Sequence, residues 1–246
     1  FSAFSNDLDF KAQNNSAIDS FMLANSVKNK NGAKRADIGA GVELWLLSGA
    51  SRVTSGSNAG GRLGTNAFTN LVGVDFLAGD SSKAGVFVGL GRTNHKLGDS
   101  KAVKSKDAHA GIYGDIGLDP IKISLGAIYS KFDQEKRVVN SYAPLAYEYK
   151  DADASAISAY AQIAYAGLSY ENGFSLEPYA GLTYIRAKND DVANSLVQIS
   201  NEDRDLQIAS VGVKPSIAFS MDGISLVAKA DVAYNRFFGD KTPSAV

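Results

Sequence analysis

Two histidines, His95 and His109, are the only imidazoles in this chain of 246 residues, and cysteine is absent. Metal centres want clusters of His, Cys or carboxylates at ligand spacing, and neither histidine sits in one. Asp107 and His109, taken with Asp190-Asp191, have the residue types for acid–base hydrolysis of a peptide. Solvated loop charges account for them better. Gly79-Asp80-Ser81 and Gly98-Asp99-Ser100 have the order of a hydrolase nucleophile motif, yet each falls in a polar connection where these residues make turns. Gly89-x-Gly91 lacks the third glycine and the following helix that dinucleotide binding needs. The expectation is a protein with no enzymatic site, no metal and no cofactor.

The remaining polar chemistry is arranged differently. From about Ala40 to Phe238, aliphatic or aromatic residues occupy every second position, with glycine, small polar or charged residues between them. Leu226, Ala228, Ala230, Val232 and Tyr234 would share one face of an extended strand, and Lys229, Asp231 and Asn235 the other. Soluble strands usually run to about 5–6 residues. Many segments here run to roughly 10–14, enough for a tilted strand to cross a bilayer. The interleaved face carries Glu43, Asp75, Tyr113, Asp115, Lys122, Tyr160, Gln162, Glu177, Tyr179, Lys214, Lys229 and Asp231. Such a set tolerates water and would make a poor packed core, so these residues are expected to line a pore. One face for lipid and one for a wet lumen predicts an all-β fold, a transmembrane antiparallel up-and-down β-barrel.

Composition agrees. Net charge is −1, from 25 basic and 26 acidic residues, which leaves no nucleic-acid footprint. Mean hydropathy is −0.11, and no apolar run approaches the ~20 residues of a spanning helix. Lack of cysteine suits passage through an oxidising periplasm without disulfides. The start, FSAFSNDLDF, has no basic segment followed by an apolar one, as expected of a mature product or a downstream fragment.

The elements follow from these patterns. Asn15 to Lys30 (NSAIDSFMLANSVKNK) predicts a helix closed by Asn31-Gly32, with lysines in its last turn. Ile18, Phe21, Met22, Leu23 and Val27 form no broad stripe. A slender, mixed surface of this kind suits a helix inside the pore, in preference to a cap on a sheet edge. Residues 1–36 are therefore expected to be linker and pore helix, and 37–246 the barrel. Nine strands follow, at roughly 39–49, 69–78, 83–94, 108–118, 120–132, 155–169, 173–186, 206–220 and 223–237. Tight turns at Gly79 to Ser82, Asp119-Pro120, Glu171 to Gly173 and Asp222-Gly223 alternate with long polar loops at about 51–68, 95–107, 133–154 and 187–205. Short periplasmic turns and long outer loops are the habit of bacterial barrels. Tyr129, Tyr184 and Tyr234 fall near the outer rim, and Phe76, Tyr165, Phe174 and Phe219 near the inner one, as interfacial girdles would. Inward glycines at 85, 89, 91, 111 and 117, with Tyr113 among them, leave room for a plug and let a tyrosine lie across bare backbone.

Nine antiparallel strands cannot close a barrel, and open sheet edges are not tolerated in hydrocarbon. The chain is accordingly expected to stop before its last strands.

At the sixth and seventh strands, SAYAQIAYAGLSYENGFSLEPYAGLTYIRAK resembles the β-domain of bacterial autotransporters, the type V secretion translocators. The resemblance rests on a tyrosine-bearing strand, a short turn, and Glu177-Pro178 followed by Tyr179 and Gly181. GVELWLLSG at the first strand and VGVDF at 72–76 resemble the family's opening strands. The resemblance implies a 12-stranded barrel, of which nine strands are present here, with an N-terminal helix threading the pore. It implies a single-chain outer-membrane protein of a Gram-negative bacterium that secretes and anchors its own N-terminal passenger. Its implied partners are outer-membrane lipid, periplasmic chaperones and the barrel-assembly machinery. Some members cut themselves between two asparagines in the pore helix. Asn14-Asn15 is such a pair, but it lies about 30 residues before Trp45, the flanks differ, and a helix N-cap explains it better. The alternatives are a free-standing porin or adhesin barrel with ligand-binding loops, and a soluble β-sandwich.

Overall fold

The computed structural model of the chain describes residues 15–30, 33–56, 62–78, 81–97, 101–139, 146–170, 173–189, 192–194, 197–199, 203–221 and 224–239. One helix, α1 (Asn15–Asn29), precedes the strands. The first is short, β1 (Lys34–Gly39). Long strands follow: β2 (Val42–Gly56), β3 (Arg62–Ala78), β4 (Ser82–Leu97), β5 (Lys101–Leu118), β6 (Ile121–Val139) and β7 (Ala146–Tyr165). Then come β8 (Leu168–Ser169), β9 (Phe174–Asn189), β10 (Val192–Asn194), β11 (Val197–Ile199), β12 (Arg204–Met221), β13 (Ile224–Lys229) and β14 (Val232–Gly239). Twelve of them form one sheet, and β10 with β11 forms a separate hairpin.

The sheet is an antiparallel meander in which strands pair in the order β1-β2-β3-β4-β5-β6-β7-β9-β12-β13, with β8 on β9 and β14 on β12. The expected nine strands appear as twelve segments of one sheet, because two of them are each broken in two and the short β1 is added. β8 continues β7 beyond Ala166-Gly167, since both pair with β9. β13 and β14 both pair with β12 and are one strand broken at Ala230-Asp231. The break lies opposite Pro215, which has no N–H for the ladder and only accepts, from Ala230 N at 3.0 Å. β1 folds back on β2 through a turn in which Gly39, Ala40 and Gly41 have φ of 87°, 56° and 73°. Two glycines there relieve most of the steric cost of left-handed backbone. β1 also runs across the expected boundary at residues 36 and 37.

The long loops are corrected too. Most of 51–68, 95–107 and 133–154 is strand: β2 continues to Gly56, β4 to Leu97 and β6 to Val139, and their partners start at Arg62, Lys101 and Ala146. Part of 187–205 is the β10–β11 hairpin. Polar outward faces hide such extensions from a reading based on lipid-facing residues, whereas backbone pairing is indifferent to side-chain polarity. Sidedness survives in altered form. On β6 the outward apolar run from Ile121 to Tyr129 reaches the Asp119-Pro120 turn at one end, and at the other gives way to Lys131, Asp133 and Glu135. Strands thus project well past the apolar band at one end only, here termed the loop end.

Alternation sorts the two faces. Val88, Leu90, Ile112, Leu125, Ile163 and Leu182 are exposed on the convex wall, and Phe87, Tyr113, Ile128, Tyr160 and Ile185 are buried on the concave one. Tyr129, Tyr184 and Tyr234 stand exposed toward the loop end, with Phe76 and Tyr165 toward the turn end. The side chain of Phe219, and the turns at 79–80, 171–172 and 222–223, lie outside the described residues.

The sheet curls round α1. Asp19 meets β4, Phe21 meets β14, Lys28 meets β7, and Asn29 meets Asp231 between β13 and β14. At 100° per residue, the buried Ala17, Asp19, Ser20, Phe21, Leu23, Ala24 and Val27 cover more than half the helix circumference. A helix covered on so many sides needs no single apolar stripe, which explains its weak periodicity. On the less covered side, with Ser26, Met22 reaches Ser51 of β2 and Asn29 reaches Asp231. Both belong to the two ends of the sheet, which do not pair with each other among the described residues. The helix ends at Lys30 (φ 40°), and Asn31-Gly32, expected to close it, lies outside the described residues.

Candidate functional site

The concave face and α1 meet in three layers. At the turn end, the Asp75 carboxylate is fully buried and holds three cations: Lys30 Nζ at 3.5 Å, Arg35 Nη1 at 3.1 Å and Lys83 Nζ at 3.3 Å. Tyr113 donates its O–H to the same carboxylate, and Trp45 Nε1 donates to Tyr113 Oη at 2.6 Å. Lys30 also lies over the Tyr113 and Trp45 rings, 3.3 and 5.3 Å from their centroids. Buried charge is tolerated only when paired, and here one carboxylate is paired several times over.

The middle layer is aromatic. Trp45, Phe87 and Tyr113 pack with ring centroids about 6.1–6.2 Å apart, beside Leu23, Ala24 and Val27 of the helix. Each ring needs a neighbouring strand without a side chain. A Cβ on Gly73 would come within 2.5 Å of the Trp45 ring, and one on Gly126 within 2.5 Å of the Tyr160 ring. Gly85 makes the same room for Tyr113.

The loop-end layer corrects the expectation of a wet lumen. Ala17 and Phe21 of α1 pack with Phe132, Ala154, Ala156, Ile185, Ala187, Leu206, Ile208 and Phe237 in one buried cluster. Phe21 and Phe237 meet edge to face at 6.0 Å. The face that reads as wet is, at this end, a packed core, because the helix supplies its other half. Beside it, His95 Nε2 lies 3.0 Å from Asp19 Oδ2 and its Nδ1 2.8 Å from Thr65 Oγ1. Asp107 accepts from Thr93 Oγ1 at 2.7 Å and from Ser105 Oγ, and His109 Nδ1 lies 3.0 Å from Ser130 Oγ.

The expected pore residues fall into groups. Asp75 and Tyr113 belong to the turn-end network, with Glu43 joined through Arg35 at 3.0 Å. Asp115 accepts from Ser124 at 2.7 Å and lies 3.8 Å from Lys83. Glu177 draws together Lys122, at 3.0 Å, and Lys214, at 3.8 Å. Tyr179 and Asn29 both donate to Asp231, at 2.7 and 3.1 Å. Tyr160 is buried beneath Lys28, Gln162 is buried, and Lys229 is exposed on β13 without an ion pair among the described residues. Asn14 lies outside the described residues and Asn15 opens α1. Asp190-Asp191 and Gly98 to Ser100 lie outside them as well. Sequence reasoning missed Lys30, Arg35, Asp19, Thr65 and the buried position of His95. Their main partners are distant in the chain, and no local pattern in the sequence links them.

This geometry has counterparts. The β domain of the Bordetella autotransporter BrkA superposes with a TM-score of 0.65 at 14% identity, over 82% of this chain and 80% of that one. The translocator domain of autotransporter NalP from Neisseria meningitidis superposes with a TM-score of 0.57 at 16% identity, over 92% of this chain and 86% of that one. No curated protein matches the chain. The autotransporter beta-domain family model matches residues 44–246, which span the sheet from early β2 onward, and the chain belongs to that family.

Proposed function

We propose that this chain is an outer-membrane translocator that secretes and anchors a passenger lying N-terminal to α1. Membership of the autotransporter β-domain family supports this reading. The observation that carries the reading is the direction of the helix. Asp19 and Phe21 sit at the loop end, against His95 and Phe237, and Lys30 sits at the turn end, against Asp75. The chain therefore runs down the concave face from the loop end, and its sheet starts at the turn end. A passenger upstream of the helix would leave at the loop end, which in this reading is the outer side, since bacterial barrels extend farther there than at their periplasmic turns.

In this reading Asp75, Tyr113, Tyr160, Gln162, Glu177, Tyr179, Lys214 and Asp231 line the pore around the helix, with Glu43, Asp115, Lys122 and Lys229 toward its inner mouth. Residues ahead of β1 form the linker and plug, and chaperones with the barrel-assembly machinery deliver the strands. A free-standing porin is disfavoured by the packed cluster around Phe21, which leaves little room for flow. The test is an epitope fused upstream of α1 in the full-length protein. Antibody should reach it on intact cells. An epitope reached only after permeabilisation would refute export.

A further inference from the structure

We propose that the convex wall carries a binding site for the phosphorylated headgroup of an outer-leaflet lipid, centred on Arg92, Lys104 and Lys106. This rests on the membrane-barrel reading above. The three cations are exposed on β4 and β5 and have no ion pair among the described residues. Arg92 lies directly opposite Lys106 across the ladder. Like charges at opposed positions destabilise a sheet unless an anion lies between them. On the next strand Asp133 is opposite Lys106 and Glu135 opposite Lys104, so the cations crowd one side of the patch and the carboxylates the other.

These residues border a cavity of about 350 Å³, with Asn94 and the strand segments at Thr93 and Ser105 completing its lining. The cavity has the volume and the donors for a phosphate: an Arg fork and two ammonium groups.

Position selects a lipid as the source. Val86, Val88 and Leu90 stand exposed in line below Arg92, and Ile112 stands exposed on β5 below Lys106. Leu90 and Arg92 are successive outward residues on β4, about 7 Å apart along the strand. Acyl chains lying on the apolar wall would bring their own headgroup to this level, whereas a free phosphate would gain nothing from that wall. The pattern matches cations placed at the headgroup level of a membrane interface.

The test uses the full-length protein in nanodiscs and a bis-phosphorylated, acylated glucosamine disaccharide, alongside its dephosphorylated form. Native mass spectrometry should show retention of the phosphorylated lipid only. The R92Q/K104Q/K106Q triple variant should lose that retention on the order of a hundredfold, at roughly a factor of five per cation. K188Q, changed elsewhere on the wall, should keep it. Equal retention of both lipids by the unmodified protein would overturn the site without any variant. Displacement of the lipid by millimolar inorganic phosphate would overturn the lipid source. Failure of the unmodified protein to show a heat-modifiable folded band in any lipid would instead sink the barrel reading, and this proposal with it.

Discussion

Lys30, the residue that follows α1, and Asp75, on β3, form a buried ion pair at 3.5 Å that fixes the end of the helix to the wall. Arg35 and Lys83 converge on the same carboxylate. Replacing Asp75 by Asn would leave three cations facing one another around a neutral group. Breaking a buried pair from one side costs about 3–5 kcal/mol. Urea unfolding of D75N in detergent should show a loss of that order. A change below about 1 kcal/mol would mean that water already screens the cluster.

Gly126 and Tyr160 are register partners on β6 and β7, and the ring covers the bare backbone. Gly126→Ala should cost about 1–3 kcal/mol through overpacking. In a Tyr160→Ala background the same change should cost far less, with a coupling above about 0.5 kcal/mol. Additive effects would show that the ring does not lie across the glycine.

Leu182 is among the most exposed apolar residues of the wall. Leu182→Arg should destabilise the protein in bilayers by about 2–4 kcal/mol, because a cation would face lipid. Lys122→Gln, on the concave side, should change stability by less than about 1 kcal/mol. Similar small costs for both would argue against a membrane-facing wall.

The plug makes two linked predictions. Removing residues 1–31 from the full-length protein should raise single-channel conductance. It should also lower stability, because the loop-end cluster loses Ala17 and Phe21. Phe21→Ala alone should cost about 3–5 kcal/mol as a large-to-small change in a packed site. Unchanged conductance after deletion would place the helix outside the pore.

Much of this architecture is legible in the chain. Period-two alternation located every long strand, because the wall has one consistently apolar face. Leu125 and Tyr129 outward, with Tyr113 and Tyr160 inward, follow from that period alone. Strand ends were less legible. Beyond Leu90 or Tyr129 the outward residues turn polar, yet Arg92 and Lys131 continue the ladder unchanged. The interior reads as wet because Glu177, Lys214 and Asp231 face it, and toward the turn end these side chains pair with one another, with Tyr179 and with Asn29 of the helix. At the loop end Ile185, Ile208 and Phe237 turn inward as well, and their partner Phe21 lies on a helix remote in sequence. His95, which falls at the start of the loop expected at about 95–107, is buried against Asp19, a pairing that no local pattern encodes.

The central claim is that α1 runs inside the curled sheet with its N-terminal end toward the loop side. Paired cysteines with a short bis-maleimide linker in native outer membranes test it most directly. D19C with H95C and N29C with D231C should each cross-link efficiently, since the native side chains approach within 3.0 and 3.1 Å. The exchanged pairs, D19C with D231C and N29C with H95C, should not. Cross-linking of the exchanged pairs would reverse the helix, and the absence of all four would remove it from the barrel.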